Sequence, residues 1–299
     1  MSNTGRGARL SRHRLPKRTS RSSPATNTIV FPLLKRSIIH QFPLGITCLR
    51  ILLLSDIHAN LEALNACLEA APAHDRIVNL GDVVGYGADP NAVIDSVRSH
   101  NGQVVRGNHD KAVSGVMNLE HFNPMAGLAA LWTREQLTPE NLDWLRELPQ
   151  GPIHVPDLEQ IQFVHGSPLD EDEYLVNTRD SLEPLMTASA RISFFGHTHR
   201  QGGFTWNGEQ TNIICPEYGS PDQLDSWDFP LRKDVRYLIN PGSVGQPRDE
   251  DWRAAFAVLD SDRQRVEYFR VPYDVKTAQE KILDAGLPPR LATRLTTGR

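Results

Sequence analysis

The sequence predicts an α/β fold built on a parallel sheet, and three observations carry that reading. Apolar runs alternate with segments of helical period between residues 48 and 110. Those runs end abruptly in Gly, Asp, Asn or His, as strands do when they deliver side chains to one rim of a sheet. The chain has 299 residues, 39% hydrophobic and 23% charged, so it has the length for a large core and an ordinary globular composition.

The elements follow in order. "CLRILLLSD" (48–56) is a continuous apolar run with a polar end, the pattern of a strand buried on both faces. In 60–71, Leu61, Leu64, Leu68 and Ala71 recur at helical spacing, with Asn60 placed to cap the start and Pro72 beyond the end. "DRIVNLGD" (75–82) is a second strand, Asp89-Pro90 opens a second helix with a cap and a first-turn proline, and "GQVVRGNHD" (102–110) is a third strand. Strand–helix–strand–helix–strand implies a parallel sheet with helices over it. Residues 111–149 read as helical throughout, broken at Pro124 and Thr138-Pro139, with Thr138 as a cap. Residues 153–168 read as a hairpin around Asp157, 181–190 as a helix, and 191–200 as a strand running into a loop. Asn207-Gly208 marks a hairpin turn within 202–215. Residues 216–234, rich in Pro, Asp and Gly, read as a long loop that, with the 111–149 helices, is expected to overhang the site. Three further strands (235–245, 253–260, 265–274) and a proline-broken helical end complete the chain.

Charge divides the chain. Ten of the 32 Lys and Arg residues and none of the 36 Asp and Glu lie in residues 1–55, leaving 22 basic against 36 acidic residues after them. Residues 1–47 are therefore expected to form a basic, disordered extension ahead of one domain at 48–299. A transit peptide and a mis-assigned start share that composition and stay open. Cys48, Cys67 and Cys215 are odd in number and give no disulfide or zinc-ribbon spacing, which predicts a reducing, cytoplasmic setting. No apolar run is long enough to span a bilayer, so no membrane association is expected. The acidic remainder disfavours long nucleic-acid substrates and hence a nuclease.

The strand ends hold the chemistry. They are Asp56-Ile57-His58, Gly81-Asp82, Gly107-Asn108-His109-Asp110, His165, and Gly196-His197-Thr198-His199. In extended geometry the members of Asp56-x-His58 and of His197-x-His199 point the same way. Asp56, His58, Asp82, Asn108, His165, His197 and His199 are more donors than one four- or five-coordinate ion needs, and they suit two ions sharing a carboxylate. Imidazole, carboxylate and amide oxygen without thiolate exclude a structural cysteine-zinc site and suit Mn, Fe, Zn, Co or Ni. Each motif alone is a turn or a core histidine more often than a ligand; the weight lies in their conjunction at five strand ends.

This set resembles the motifs of the calcineurin-like metallophosphoesterase superfamily over about residues 50–275, and "NPGSVGQPRD" (240–249) with "GHTHR" is similar to its bacterial branch of small phosphodiesterases and phosphatases. The resemblance implies a four-layer α/β/β/α sandwich of two mixed sheets. It implies that Asp56, His58, Asp82 and His199 hold one divalent ion, that Asp82, Asn108, His165 and His197 hold the other, and that His109 is the catalytic non-ligand histidine. Manganese is among the expected metals. The implied reaction is attack on phosphorus by a hydroxide held between the ions, in a small phosphoester substrate, a nucleotide among the candidates. A Ser/Thr protein phosphatase is the alternative, as is a non-catalytic binding module on the same fold, as one retromer subunit is. The protein phosphatases carry Gly-Asp-x-x-Asp-Arg-Gly; here Gly85 and Tyr86 replace the second Asp and the Arg, removing a phosphate-gripping guanidinium and a carboxylate that would orient His109.

Overall fold

The structure is a computed structural model that describes residues 49–120 and 122–299. The expected extension at 1–47 and Cys48 lie outside the described residues.

Arg50–Leu54 (β1) shows why the sequence makes a sandwich. Leu52 and Leu54 face a cluster shared with helices, while Ile51 and Leu53 face a second cluster shared with another sheet. Period-two burial on both sides of one strand requires a layer on each face. The helical layer includes Leu61–Ala70 (α1) and Pro90–Ser99 (α2), which connect β1 to Arg76–Asn79 (β2) and to Gln103–Val104 (β3). Asn60 caps α1 by accepting from the Ala63 amide at 3.1 Å. Asp89 does not cap α2; its carboxylate pairs instead with Lys281 at 2.8 Å, where a full charge outcompetes an amide.

The expected parallel trio is present: β1 pairs with β2, and β2 with β3, in parallel. The sheet is nevertheless mixed. On the other side of β1, Ala254–Asp260 (β10), Arg265–Val271 (β11) and Asp225–Pro230 (β8) add in antiparallel fashion, giving the order β3-β2-β1-β10-β11-β8. The second sheet has the order β4-β5-β9-β6-β7, from Ile161–Phe163 (β4), Ile192–Phe194 (β5), Arg236–Asn240 (β9), Gly202–Trp206 (β6) and Thr211–Ile214 (β7). Its first three strands are parallel, and the hairpin at Asn207-Gly208 is β6–β7. Thr178–Thr187 (α6) covers its outer face through Leu185, against Phe195, Phe204 and Leu238. Helices Val275–Asp284 (α7) and Pro289–Thr293 (α8), with a 3₁₀ turn at Arg294–Thr296, close against Tyr86, Ala126 and Ala129. Helix, sheet, sheet and helix are the four layers expected.

Three local expectations change. Helices Asn108–Ser114 (α3), Pro124–Gln136 (α4) and Pro139–Glu147 (α5) leave 115–120 and 122–123 non-helical, because Gly115 takes φ +84° and ends α3. The hairpin around Asp157 is reduced to one antiparallel bridge, Ile153 to Phe163. Residues 216–234 are not one loop, since β8 lies within them. Trp227 and Phe229 alternate with exposed Ser226 and Asp228, a half-buried edge-strand pattern that Pro and Asp disguise in the composition.

Candidate metal centre

The loops after the strands are stitched by main-chain bonds. Asp56 donates its amide to Gly81 O at 3.0 Å, His58 to Asp82 O at 2.9 Å, and Gly196 to His165 O at 2.7 Å. These loops do not continue the strands. Asp56, His58, Asp82, His197 and His199 all have left-handed φ between 50° and 65°. The shared direction of Asp56 with His58, and of His197 with His199, therefore comes from tight left-handed turns and not from extended backbone. Such conformations are costly for residues with a Cβ, and persist where the surroundings over-determine them.

The turns bring all the predicted residues together. Asp56, His58, Asp82 and His199 form one buried group of donor atoms within 4.8 Å of one another; Asp82, His165 and His197 form a second. Asn108, at the start of α3, places Oδ1 3.3 Å from His165 Nε2. Asp82 belongs to both groups. Its Oδ1 accepts the His109 amide at 2.8 Å, while Oδ2 lies 3.5 Å from Nε2 of His58 and 3.5 Å from Nε2 of His165.

Each imidazole is held from behind by a main-chain carbonyl. His58 Nδ1 meets Val84 O at 3.2 Å, His165 Nδ1 meets Leu80 O at 2.7 Å, His199 Nδ1 meets Gln246 O at 2.6 Å, and His197 Nε2 meets Asp172 O at 3.2 Å. A carbonyl only accepts, so those nitrogens carry the protons. In the neutral rings the opposite nitrogens are bare, yet His58 Nε2 and His199 Nε2 face each other at 3.1 Å. Burial holds both rings far below the usual histidine range, hence neutral. Two lone pairs aimed at each other in a buried site repel unless a cation lies among them, so this donor set fits a metal ion.

The remaining charges show the same strain. Burial pushes Asp56 up to about 7, opposed by His165 and assisted by Asp82. Burial alone would lower His165, but the Asp82 carboxylate outweighs it and raises the ring to about 9. Burial works against ionising Asp82, yet His165, His109 and His58 hold it well below the carboxylate range.

The family model of the calcineurin-like phosphoesterase superfamily domain matches residues 49–264. The chain belongs to that superfamily. It is 38% identical over 251 residues to the uncharacterized protein MJ0912 of Methanocaldococcus jannaschii, covering 83% of this chain and 98% of that protein. It is similar to the crystal structure of a metallophosphoesterase from Sphaerobacter thermophilus, with 38% identity, TM-score 0.70, 84% of this chain and all of that one covered (100%). A hypothetical protein of Pyrococcus horikoshii, PH1004, shares the fold at 19% identity, TM-score 0.66, over 84% of this chain and 98% of its own. The protein is thus a metal-dependent phosphoesterase with a buried Asp/His site.

A cleft of about 310 Å³ opens on the phosphoesterase's donor groups, walled by His109, Met117, Phe122 and Tyr174. Met117, Phe122, Asn123 and Ala126 line it, as expected of 111–149, but nothing from 216–234 does. The opposite wall is 172–174, missed in the sequence: Tyr174 stacks on His197 with centroids 3.7 Å apart. Buried Lys111 anchors that wall through Glu171 at 2.9 Å and Asp172 at 2.6 Å. The acidic run 170–173 was the available signal. His109 packs on Tyr86 at 4.3 Å and His58 at 4.9 Å. Its Nδ1 is buried and has no partner among the described residues. A Cβ at Gly85 would lie 2.6 Å from that Nδ1, so no side chain can stand there with the ring in place. Asp110, adjacent in sequence, does not serve His109; its carboxylate accepts the Gly107 and Val84 amides at 3.0 and 3.2 Å and ties two loops together. Burial lowers His109 to about 4, leaving the ring neutral near pH 7.

Proposed function

We propose that this phosphoesterase hydrolyses a phosphoester bond in a small, nucleotide-like substrate at a dinuclear metal site, with residues 48–299 as the catalytic unit. The observation that carries the reading is the shared carboxylate: one oxygen of Asp82 stands 3.5 Å from an imidazole of each donor group. Asp56, His58, Asp82 and His199 would hold one cation; Asp82, Asn108, His165 and His197 the other. Bound divalent cations would supply Lewis acidity toward the phosphoryl oxygens and make water a nucleophile near neutral pH.

The chain's own residues do the rest. The carbonyls of Val84, Leu80, Gln246 and Asp172 fix the four imidazoles in the tautomer that presents a bare nitrogen inward. His109 lines the cleft with Nδ1 buried, which leaves Nε2 toward the departing oxygen. The ring, neutral near pH 7, acts as the acid there only after taking up a second proton, for which a bound phosphoryl anion would supply the counter-charge. The aromatic walls at Phe122 and Tyr174 suit a flat, partly apolar leaving group and exclude water from its flank. A small cleft and the absence of room for a carboxylate behind His109 favour this over a protein phosphatase. Among the described residues no helix is long and apolar enough to cross a membrane.

The test is metal analysis of the purified protein together with turnover of bis-p-nitrophenyl phosphate, p-nitrophenyl phosphate, cyclic nucleotides, diadenosine tetraphosphate and a phosphopeptide. Two divalent ions per chain and turnover of small esters are expected. A protein that retains no divalent ion, or turns over the phosphopeptide alone, would end the proposal.

A further inference from the structure

Residues 166–174, which follow His165, form no helix or strand, so no ladder of main-chain bonds fixes their path past the metal centre. The segment turns on itself, with the Ser167 and Glu173 amides both donating to Asp170 O, at 2.9 and 3.2 Å. Two cations hold the turn from outside. Lys111, only 4% exposed, donates to Glu171 at 2.9 Å and to Asp172 at 2.6 Å. Arg106 grips Glu171 with two bonds, from Nε at 3.0 Å and from Nη2 at 2.8 Å. Keeping the Lys111 charge out of water is costly, and the two carboxylates offset that cost only while the turn stays in place.

This strap serves one side of the metal centre. Asn108 lies in the chain between Arg106 and Lys111, the two residues that grip the strap, and Lys111 follows it by one turn of α3. His165 is followed by Gly166, where a Cβ would lie 2.6 Å from Glu171 O and 2.7 Å from Glu173 O, so the strap packs directly on that backbone. His197 is held twice: Asp172 O meets its Nε2 at 3.2 Å, and the Tyr174 ring stacks on it at 3.7 Å. The other side has separate supports. Ser55 donates to Asp56 at 2.6 Å, and the Val84 and Gln246 carbonyls hold His58 and His199 at 3.2 and 2.6 Å. Among the described residues no hydrogen bond joins 166–174 to Asp56, His58 or His199.

We propose that Lys111 is a positioning residue: with Arg106 it locks the 166–174 strap, and through the strap it sets the divalent-cation affinity of the Asn108, His165 and His197 side of the centre alone. The proposal rests on the dinuclear reading above for its two cation sites. Positioning and charge predict opposite signs. Deleting a lysine beside a cation site removes repulsion, and by charge alone should tighten divalent ions on both sides. A loosened strap should weaken them on one side only.

Two measurements test it on the full chain. Calorimetric titration of metal-free protein with manganese chloride should fill two sites in wild type. In Lys111→Met one of them should weaken by about 10–100-fold, the range for a lost supporting partner, and the other should not change. Arg106→Gln, at the more exposed end of the network, should weaken the same site less, and it carries both readouts if Lys111→Met does not fold. In metal-free protein, long-range proton–nitrogen NMR of the imidazoles should find His197 protonated at Nε2 in wild type and averaged between its two nitrogens in Lys111→Met, with His58 and His199 keeping their Nδ1 protons in both. A His197 tautomer that the substitution leaves unchanged overturns the proposal, as does manganese binding that tightens, stays the same or falls alike at both sites. If wild type takes up fewer than two ions, the dinuclear reading fails by itself, and the His197 tautomer still decides whether Lys111 positions that ring.

Discussion

Asp82 and His109 are joined by a 2.8 Å bond from amide to carboxylate, yet their substitution should have opposite signatures. Asp82→Asn removes the shared charge, and metal affinity should fall by more than about 100-fold, above the usual effect of losing a supporting partner; metal analysis after gel filtration reads this directly. His109→Ala leaves every donor in place, so metal content should be unchanged. Turnover of alkyl esters should drop by about 10²–10⁴-fold, the range for a lost general acid, while p-nitrophenyl esters, which leave without a proton, should drop less. Equal losses on both would remove the acid role. Metal binding should also depend on pH, because Asp56 titrates at about 7 and His165 at about 9 in the metal-free site. Ligands bind cations deprotonated, so protons compete. Affinity should rise steeply up to pH 7 as both protons are displaced, by about tenfold per pH unit between 7 and 9 as only His165 must lose one, and level off above 9. Calorimetry in buffers of different ionisation enthalpy counts those protons.

At the scale of elements, the site is made by how strands end. Gly196 follows β5, and its missing side chain is what lets the loop approach β1: a Cβ there would lie 1.9 Å from Ser55 Oγ and 2.9 Å from Asp56 Oδ2. Ser55 donates to that same oxygen at 2.6 Å, and the His197 amide reaches it at 3.1 Å. Gly196→Ala should therefore do two things together: destabilise the fold by about 1–3 kcal/mol through overpacking and weaken the metal site. Thermal melts with and without added metal separate the two effects. A variant that melts like wild type and binds metal equally well would show that the loop has slack the packing does not suggest. The apolar runs, the Asn60 cap and the Asn207-Gly208 turn were legible because each is a local signal. The edge strand β8 was not, because its stability comes from pairing with β11, and its Asp and Pro residues mimic a loop.

For the whole molecule, the four layers bring strand ends far apart in sequence onto one rim. If the metal centre and sandwich are complete within 48–299, deleting residues 1–47 should leave the melting temperature and metal content unchanged; a fall of several degrees would assign the extension a place in the fold. Sequence alone pointed to the α/β character, to most of the elements in their order and to the Asp, Asn and His residues that gather at the site, because periodicity and residue chemistry are properties of short stretches. It also pointed to the absent carboxylate behind His109. Tertiary structure alone decided two things: the left-handed turns that aim paired donors at one centre, and the wall at 172–174. Each depends on contacts between segments tens to hundreds of residues apart, and no local pattern encodes the distance between groups that only folding brings together.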